Sequence, residues 1–150
     1  MASTVCDGGK GTFAYYAANV PTGTSSISVA LLLTTGLESD TLLAAHLTFA
    51  AVFSAGNTEC SAGAYARIQV TSGLSIAYAA HVVTLNLSSN PSWTALAGTQ
   101  NLAKLLLGYK PTSGSADSAI VLLGQYDFVG TTDGSNVTAQ VNGSGLMSAS

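Results

Sequence analysis

Charge is what this sequence lacks most. Only 7% of its 150 residues are Asp, Glu, Lys or Arg, against roughly 25% in an ordinary globular domain. Four Lys and Arg stand against seven Asp and Glu, for a net charge of −3 and a sequence pI near 4.9. So few cations argue against nucleic-acid binding by charge, because too few phosphates would be neutralised. A basic membrane-surface patch is disfavoured for the same reason.

Cysteine and histidine are equally sparse. Cys6 and Cys60 alone cannot make a disulfide framework, which needs more of them. A single bridge between them is conceivable, but two unpaired thiols made in a reducing compartment are the simpler reading. The opening Met-Ala-Ser-Thr-Val-Cys-Asp-Gly-Gly-Lys has neither the basic nor the apolar region of a secretory signal. The most apolar stretch, Leu42 to Ala55, contains His46 and spans about 14 residues, short of the ~20 that a membrane helix needs. The expectation is a soluble chain made in a cytoplasm.

What is present in quantity is apolar. Hydrophobic residues make up 47% and the mean hydropathy is +0.41, which disfavours disorder. The length suits one domain with a real core. Residues 1–12, with Gly8, Gly9 and Gly11, read as a flexible N-terminal arm, and 13–150 as a single β-rich domain. Phe13 to Val20 reads as a strand, with Phe13, Tyr15 and Ala17 on one face and Tyr16 on the other. Ile27 to Leu33 reads as a short buried strand.

Ser39 or Asp40 can cap a helix whose first turn gains from the negative charge of Glu38 and Asp40. Leu42, Leu43, His46, Leu47, Ala50 and Phe53 follow at helical spacing. Gly56-Asn57 supplies a stop. This helix, about residues 40–55, has apolar residues on nearly every side and should be covered on more than one face. Short strands follow: Tyr65 to Val70, a hairpin of Ser75 to Tyr78 with Val82 to Leu87, Leu102 to Tyr109, and Ala119 to Thr131. Asp133 and Gly134 sit in the turn Thr132-Asp133-Gly134-Ser135, and the chain should return as a hairpin through Val137, Ala139 and Val141. Many short strands with regular turns predict a mainly β domain, an antiparallel β-sandwich or barrel-like fold with one short α-helix.

The chemistry on offer is thin. His46 and His81 are the only histidines, and no local context joins Cys60, His81 and an acid into a triad. His46 reads as a hydrogen-bonded core or interface residue. Two distant histidines without a C-x-x-C offer little to a metal. Asp133-Gly134-Ser135-Asn136 lacks the order of a calcium loop, and Gly8-Gly9-Lys10-Gly11-Thr12 lacks that of a phosphate loop. No enzyme, metal or cofactor is expected.

Gly36-Leu37-Glu38-Ser39-Asp40-Thr41-Leu42 opens a pattern. It continues through Tyr65-Ala66-Arg67, Trp93-Thr94-Ala95 and Leu102-Ala103-Lys104-Leu105-Leu106. It closes on Tyr126-Asp127-Phe128-Val129-Gly130-Thr131-Thr132-Asp133-Gly134-Ser135-Asn136-Val137-Thr138-Ala139. Over roughly residues 25–145 this combination resembles the small head decoration, or minor capsid, proteins of tailed bacteriophages, especially those infecting actinobacteria. The resemblance implies a virion structural protein on the capsid exterior, made in the bacterial host cytoplasm. It implies the major capsid protein and further copies of itself as partners, a trimer favoured, with neither nucleic acid nor membrane. Phe13, Tyr15, Tyr16, Leu43 and Leu47 are the expected partner contacts, because the aromatic N-terminus and the apolar helix favour association. A tail or minor tail protein is one alternative. A virion-displayed carbohydrate- or receptor-binding module is another, with Trp93 and Tyr109 as its candidate residues.

Overall fold

A computed structural model of the chain describes residues 3–6, 13–20, 23–79, 82–141 and 147–149. The protein is mainly β. Its centre is a strand buried along its whole length, β2 (Ser26–Leu33). β2 lies between β7 (Asn101–Lys110) and β3 (Ile68–Val70). β8 (Val121–Thr131) and β1 (Ser3–Val5) extend the sheet on the far side of β7, in the order β1-β8-β7-β2-β3. Every pairing in it is antiparallel.

Successive strand residues point to opposite faces, and both faces of this sheet are covered. Ile27, Val29, Leu31 and Leu33 of β2 share one cluster with Leu105 and Leu107 of β7. The hairpin of β4 (Leu74–Ala79) and β5 (Val82–Leu87) covers that side through Leu74, Ile76 and Leu85. Ala30 and Leu32 belong to a second cluster with Leu106 and Leu122. There α2 (Asp40–Ala45) and α3 (Phe49–Ser54) form the cover, through Leu43, Phe49 and Val52. A β-bulge between Leu102 and Lys104 turns Leu102 toward the hairpin side. Lys104 thereby reaches Asp40 of α2. Two small pieces complete the chain: β6 (Ser92–Trp93) pairs with β9 (Val137–Thr138), and β10 (Met147–Ala149) pairs with β5.

The layering is that of a sandwich, but the sheets are open rather than barrel-like, with β1 and β3 as edges of the largest one. Several local expectations give way. The stretch from Phe13 is a helix, α1 (Phe13–Ala18), not a strand. Phe-Ala-Tyr-Tyr-Ala-Ala has no β-branched residue and three alanines, the strongest helix formers. Asn19 closes it, its backbone and side-chain N–H both donating to the Tyr15 carbonyl. The helix expected over 40–55 is two six-residue helices. Leu47 and Thr48 break it: Leu47 accepts from the Leu122 N–H, Thr48 bridges to Val121, and the Thr48 hydroxyl caps α3 at Ala51. Edge pairing with β8 thus wins over helical continuity. The expected arm begins in the sheet, since Ser3–Val5 pairs with Gly124, Gln125 and Tyr126 and Cys6 is buried; residues 7–12 lie outside the described residues. The segment after Gly134 does not fold back on β8. It pairs with β6, because the turn is tied instead to Leu96 by Gly134 N–H to Leu96 O and Leu96 N–H to Ser135 O.

Gly108 of β7 marks where the helical layer presses closest. A Cβ there would meet Phe49 Cε1 at 2.6 Å and Ile120 Cγ2 at 2.7 Å. Gly108→Ala should therefore overpack this contact and cost about 1–3 kcal/mol, read as a lower urea midpoint at unchanged slope. A stability equal to wild type would mean that Phe49 does not seat on this strand.

Candidate functional site

With so few charges in the chain, their positions carry information. Lys104 is 6% exposed, and a buried cation needs partners. It finds two: Asp40 of α2 at 2.6 Å and its strand neighbour Asp127 of β8. Arg67, in the segment before β3, is held by Glu59 through Nε and Nη2, both at 2.7 Å. Nη1 and Nη2 also reach Asp117, at 2.5 and 3.0 Å, in a short 3-10 turn (Asp117–Ala119). The guanidinium carbon lies 5.3 Å from the Phe49 ring centre and 5.0 Å from that of Phe53, within cation–π range. Tyr65 donates to Glu59 at 2.8 Å and accepts from the Leu31 N–H at 3.0 Å. Burial and the Glu59 carboxylate push its phenol up, so it stays protonated.

A third cluster closes α2. Glu38 Oε2 meets His46 Nε2 at 2.7 Å and accepts from the Asn57 amide at 2.6 Å. Asn57 in turn accepts from the Glu38 N–H. Glu38, Asp40, Glu59, Asp117 and Asp127 are all paired; Glu38 and Glu59 are mostly covered, while Asp40, Asp117 and Asp127 keep one side to solvent. Asp133 receives the Ser135 N–H within its own turn. Asp7 and Lys10 lie outside the described residues. Glu38, Asp40, Arg67, Lys104 and Asp127 come from four separate stretches of the chain, residues 36–42, 65–67, 102–106 and 126–139. What the sequence missed is this pairing, which joins residues far apart along the chain; the Tyr65-Ala66-Arg67 motif beside Glu59 was its only local sign.

With most of the charges engaged in pairs, large apolar side chains stand out on the exterior. Tyr15 is 64% exposed, Leu42 and Leu47 57% each, and Val129 88%. Leu47 is presented rigidly, because its own carbonyl is tied to β8. Tyr16 packs on Tyr109 with ring centres 4.6 Å apart, leaving Tyr15 edge-on to it at 5.6 Å. Leu43 is not a surface residue: it is fully buried between α2 and the sheet. The break after α2 sets this register, and Leu42 takes the outward position that a single long helix did not single out. Phe13 opens α1, and its side chain lies outside the described residues. Asp133 and Gly134 form the turn, with Gly134 at φ +95°.

Trp93 is buried, donates to the Ala66 carbonyl at 3.0 Å and stacks on Tyr65. It therefore offers no open face to a sugar, and Tyr109 is half-covered by Tyr16. No disulfide joins Cys6 and Cys60, which lie in the clusters on opposite faces of the main sheet; burial pushes the Cys60 thiol up, away from the reactive thiolate. His81 lies outside the described residues. Among the described residues no three His, Cys, Asp or Glu come together to hold a metal ion, and no helix is long and apolar enough to cross a membrane. No protein-family model, curated protein or solved structure matches the chain.

The ion clusters set the acid response. The Arg67 guanidinium donating to Asp117 holds that carboxyl below its ordinary value. The Asn57 amide, then His46, does the same for Glu38. A depressed carboxyl contributes its full stabilisation above its unfolded value, about 4, and loses it as pH falls through the folded value. Asp117→Asn should therefore melt below wild type at neutral pH, with the gap closing below about pH 4. A gap equally wide at about pH 2.5 would contradict this origin. Arg67→Ala, which strands Glu59 and Asp117 without their cation, should cost about 3 kcal/mol in chemical denaturation.

Proposed function

We propose that this chain is a virion structural protein of a tailed phage, a decoration protein that binds the outside of the assembled coat and ties neighbouring coat subunits together. The observation that carries the reading is the exterior just described: large apolar side chains held out on a surface whose few charges are mostly engaged in ion pairs. Isolated exposed hydrophobics are ordinary, but here they lie on both covering layers. Tyr15 belongs to the hairpin side, through the contact of Tyr16 with Tyr109, and Leu42 and Leu47 belong to the helical side. A protein that bridges neighbours needs contacts on more than one side. The sequence resemblance points the same way, with the major capsid protein and other copies of this chain as partners and the capsid exterior as location. Binding only the assembled lattice would stabilise the shell by mass action. Association as a closed trimer suits the three-fold points of such a lattice.

Electron cryo-microscopy of the virions that carry this chain tests the location. Density for the β-rich domain on the head exterior is expected, and density along the tail alone would overturn the decoration reading. Particles stripped of the protein should release their DNA at a lower temperature than intact ones. Re-addition of a Leu42→Ser, Leu47→Ser double variant should restore that stability at least tenfold less effectively by concentration, as expected when roughly 1.4 kcal/mol of contact energy is lost. The fold should change little, because neither side chain is buried. Full rescue by the double variant would remove these leucines from the interface.

A further inference from the structure

The five-stranded sheet ends in β3, and β3 is an unusual edge. It pairs with Ile27, Ser28 and Val29 on one side only. Among the described residues, the backbone of Ile68 to Ser72 makes no bond toward the opposite side. Sheet edges are normally protected by charge, proline or a covering element, because their unpaired N–H and C=O groups template further pairing. Ile68-Gln69-Val70-Thr71-Ser72 contains no charge and no proline.

A wall stands off from it instead. Ser89 to Ser92 face this edge across an open cleft of about 320 Å³, at the lower end of the size range of ligand sites. The wall is fixed from behind rather than free to collapse onto β3. Pro91 O accepts from the Ala139 N–H, Asn90 Oδ1 from the Val141 N–H, and the Ser92 hydroxyl meets that of Thr138. Next along the chain from the wall, Trp93 is pinned to Ala66 and stacked on Tyr65. Such a preformed gap spares its occupant the cost of opening it.

We propose that this cleft takes an uncharged, extended segment of another polypeptide by strand addition to β3. Three features choose that occupant. The edge of β3, Ile68–Val70, which Thr71 and Ser72 prolong along the cleft outside the strand, supplies unspent main-chain groups for hydrogen bonds to a peptide. Among the described residues no ionisable side chain lines the cleft, so a charged segment would lose hydration without finding a partner there. No aromatic side chain of the described residues lines it either, unlike the aromatic-rich pockets typical for small ligands. The inference is independent of a role in the virion.

The test is nitrogen-15 NMR of the full chain, titrated with end-blocked octapeptides of alternating Thr, Ser, Asn, Val and Ile. At least one peptide should shift the amides of Ile68–Ser72 and Ser89–Ser92 saturably, with Kd below ~1 mM. Replacing alternate residues of that peptide with N-methyl amino acids, or placing Glu or Lys at its centre, should weaken it about tenfold or more. Ser89→Trp, from an exposed position on the wall, should abolish the shifts. Thr71→Arg, exposed on the other side of the cleft, should do the same if the tryptophan variant does not fold. Shifts elsewhere on the surface, equal binding of the N-methylated peptide, or no binding by any peptide would overturn the proposal. So would shifts in the cleft produced by neutral malto-oligosaccharides and not by the peptides.

Discussion

Burial of both faces of β2 is the constraint to which the rest of the molecule answers. All eight of its residues are buried, and a strand of that kind folds only if two layers arrive to cover it. The hairpin of β4 and β5 supplies one cover from a contiguous stretch of chain. The other cover is made of two helices of six residues each, far too short to hold their shape alone. Their Leu43, Phe49 and Val52 provide the apolar contact, and Gly108 lets the Phe49 ring approach the strand.

The scarce charges gather at that weaker cover. Lys104 fastens the start of α2 to the sheet, Arg67 fastens α3 and the turn at Asp117 to the segment before β3, and Glu38 with His46 and Asn57 joins the two ends of α2 to the exit of α3. Ion pairs are a poor general source of stability, because desolvation offsets much of their attraction. Their value here is positional. Two short helices on an apolar surface could slide, and directional pairs at three points hold them in one arrangement. Tying the ions down in this way leaves few unpaired charges among the hydroxyls, amides and large apolar side chains of the exterior.

Much of the strand pattern was legible in the sequence. The run Ile27 to Leu33, the hairpin flanking residues 80 and 81, and the long strands ending at Tyr109 and Thr131 all follow from local apolar runs and turn residues. Ser39 as a helix cap was equally local. What failed did so where a distant partner decides. The exception is Phe13 to Ala18, too short for its period to separate strand from helix, where the alanines and the lack of β-branched residues favour the helix. The helix over 40–55 looked continuous because nothing in Leu47-Thr48 announces that β8 will pair with it. Leu43 was assigned to the surface for the same reason, since the break sets which leucine turns outward. The ion pairs of Lys104 and Arg67 were invisible because their acids lie on other elements. The exposed Leu42 and Val129 could be found only once burial was known.

The pairing of charge has a consequence for ionic strength. At physiological salt the screening length is about 8 Å, well beyond the 2.5–2.7 Å at which Arg67 meets its acids, and the Phe49 and Phe53 rings flank the guanidinium. Contacts made through Tyr15, Leu42 and Leu47 have little electrostatic attraction for salt to screen. Both the fold and the associations of this protein should therefore pass almost unchanged between media of very different salinity.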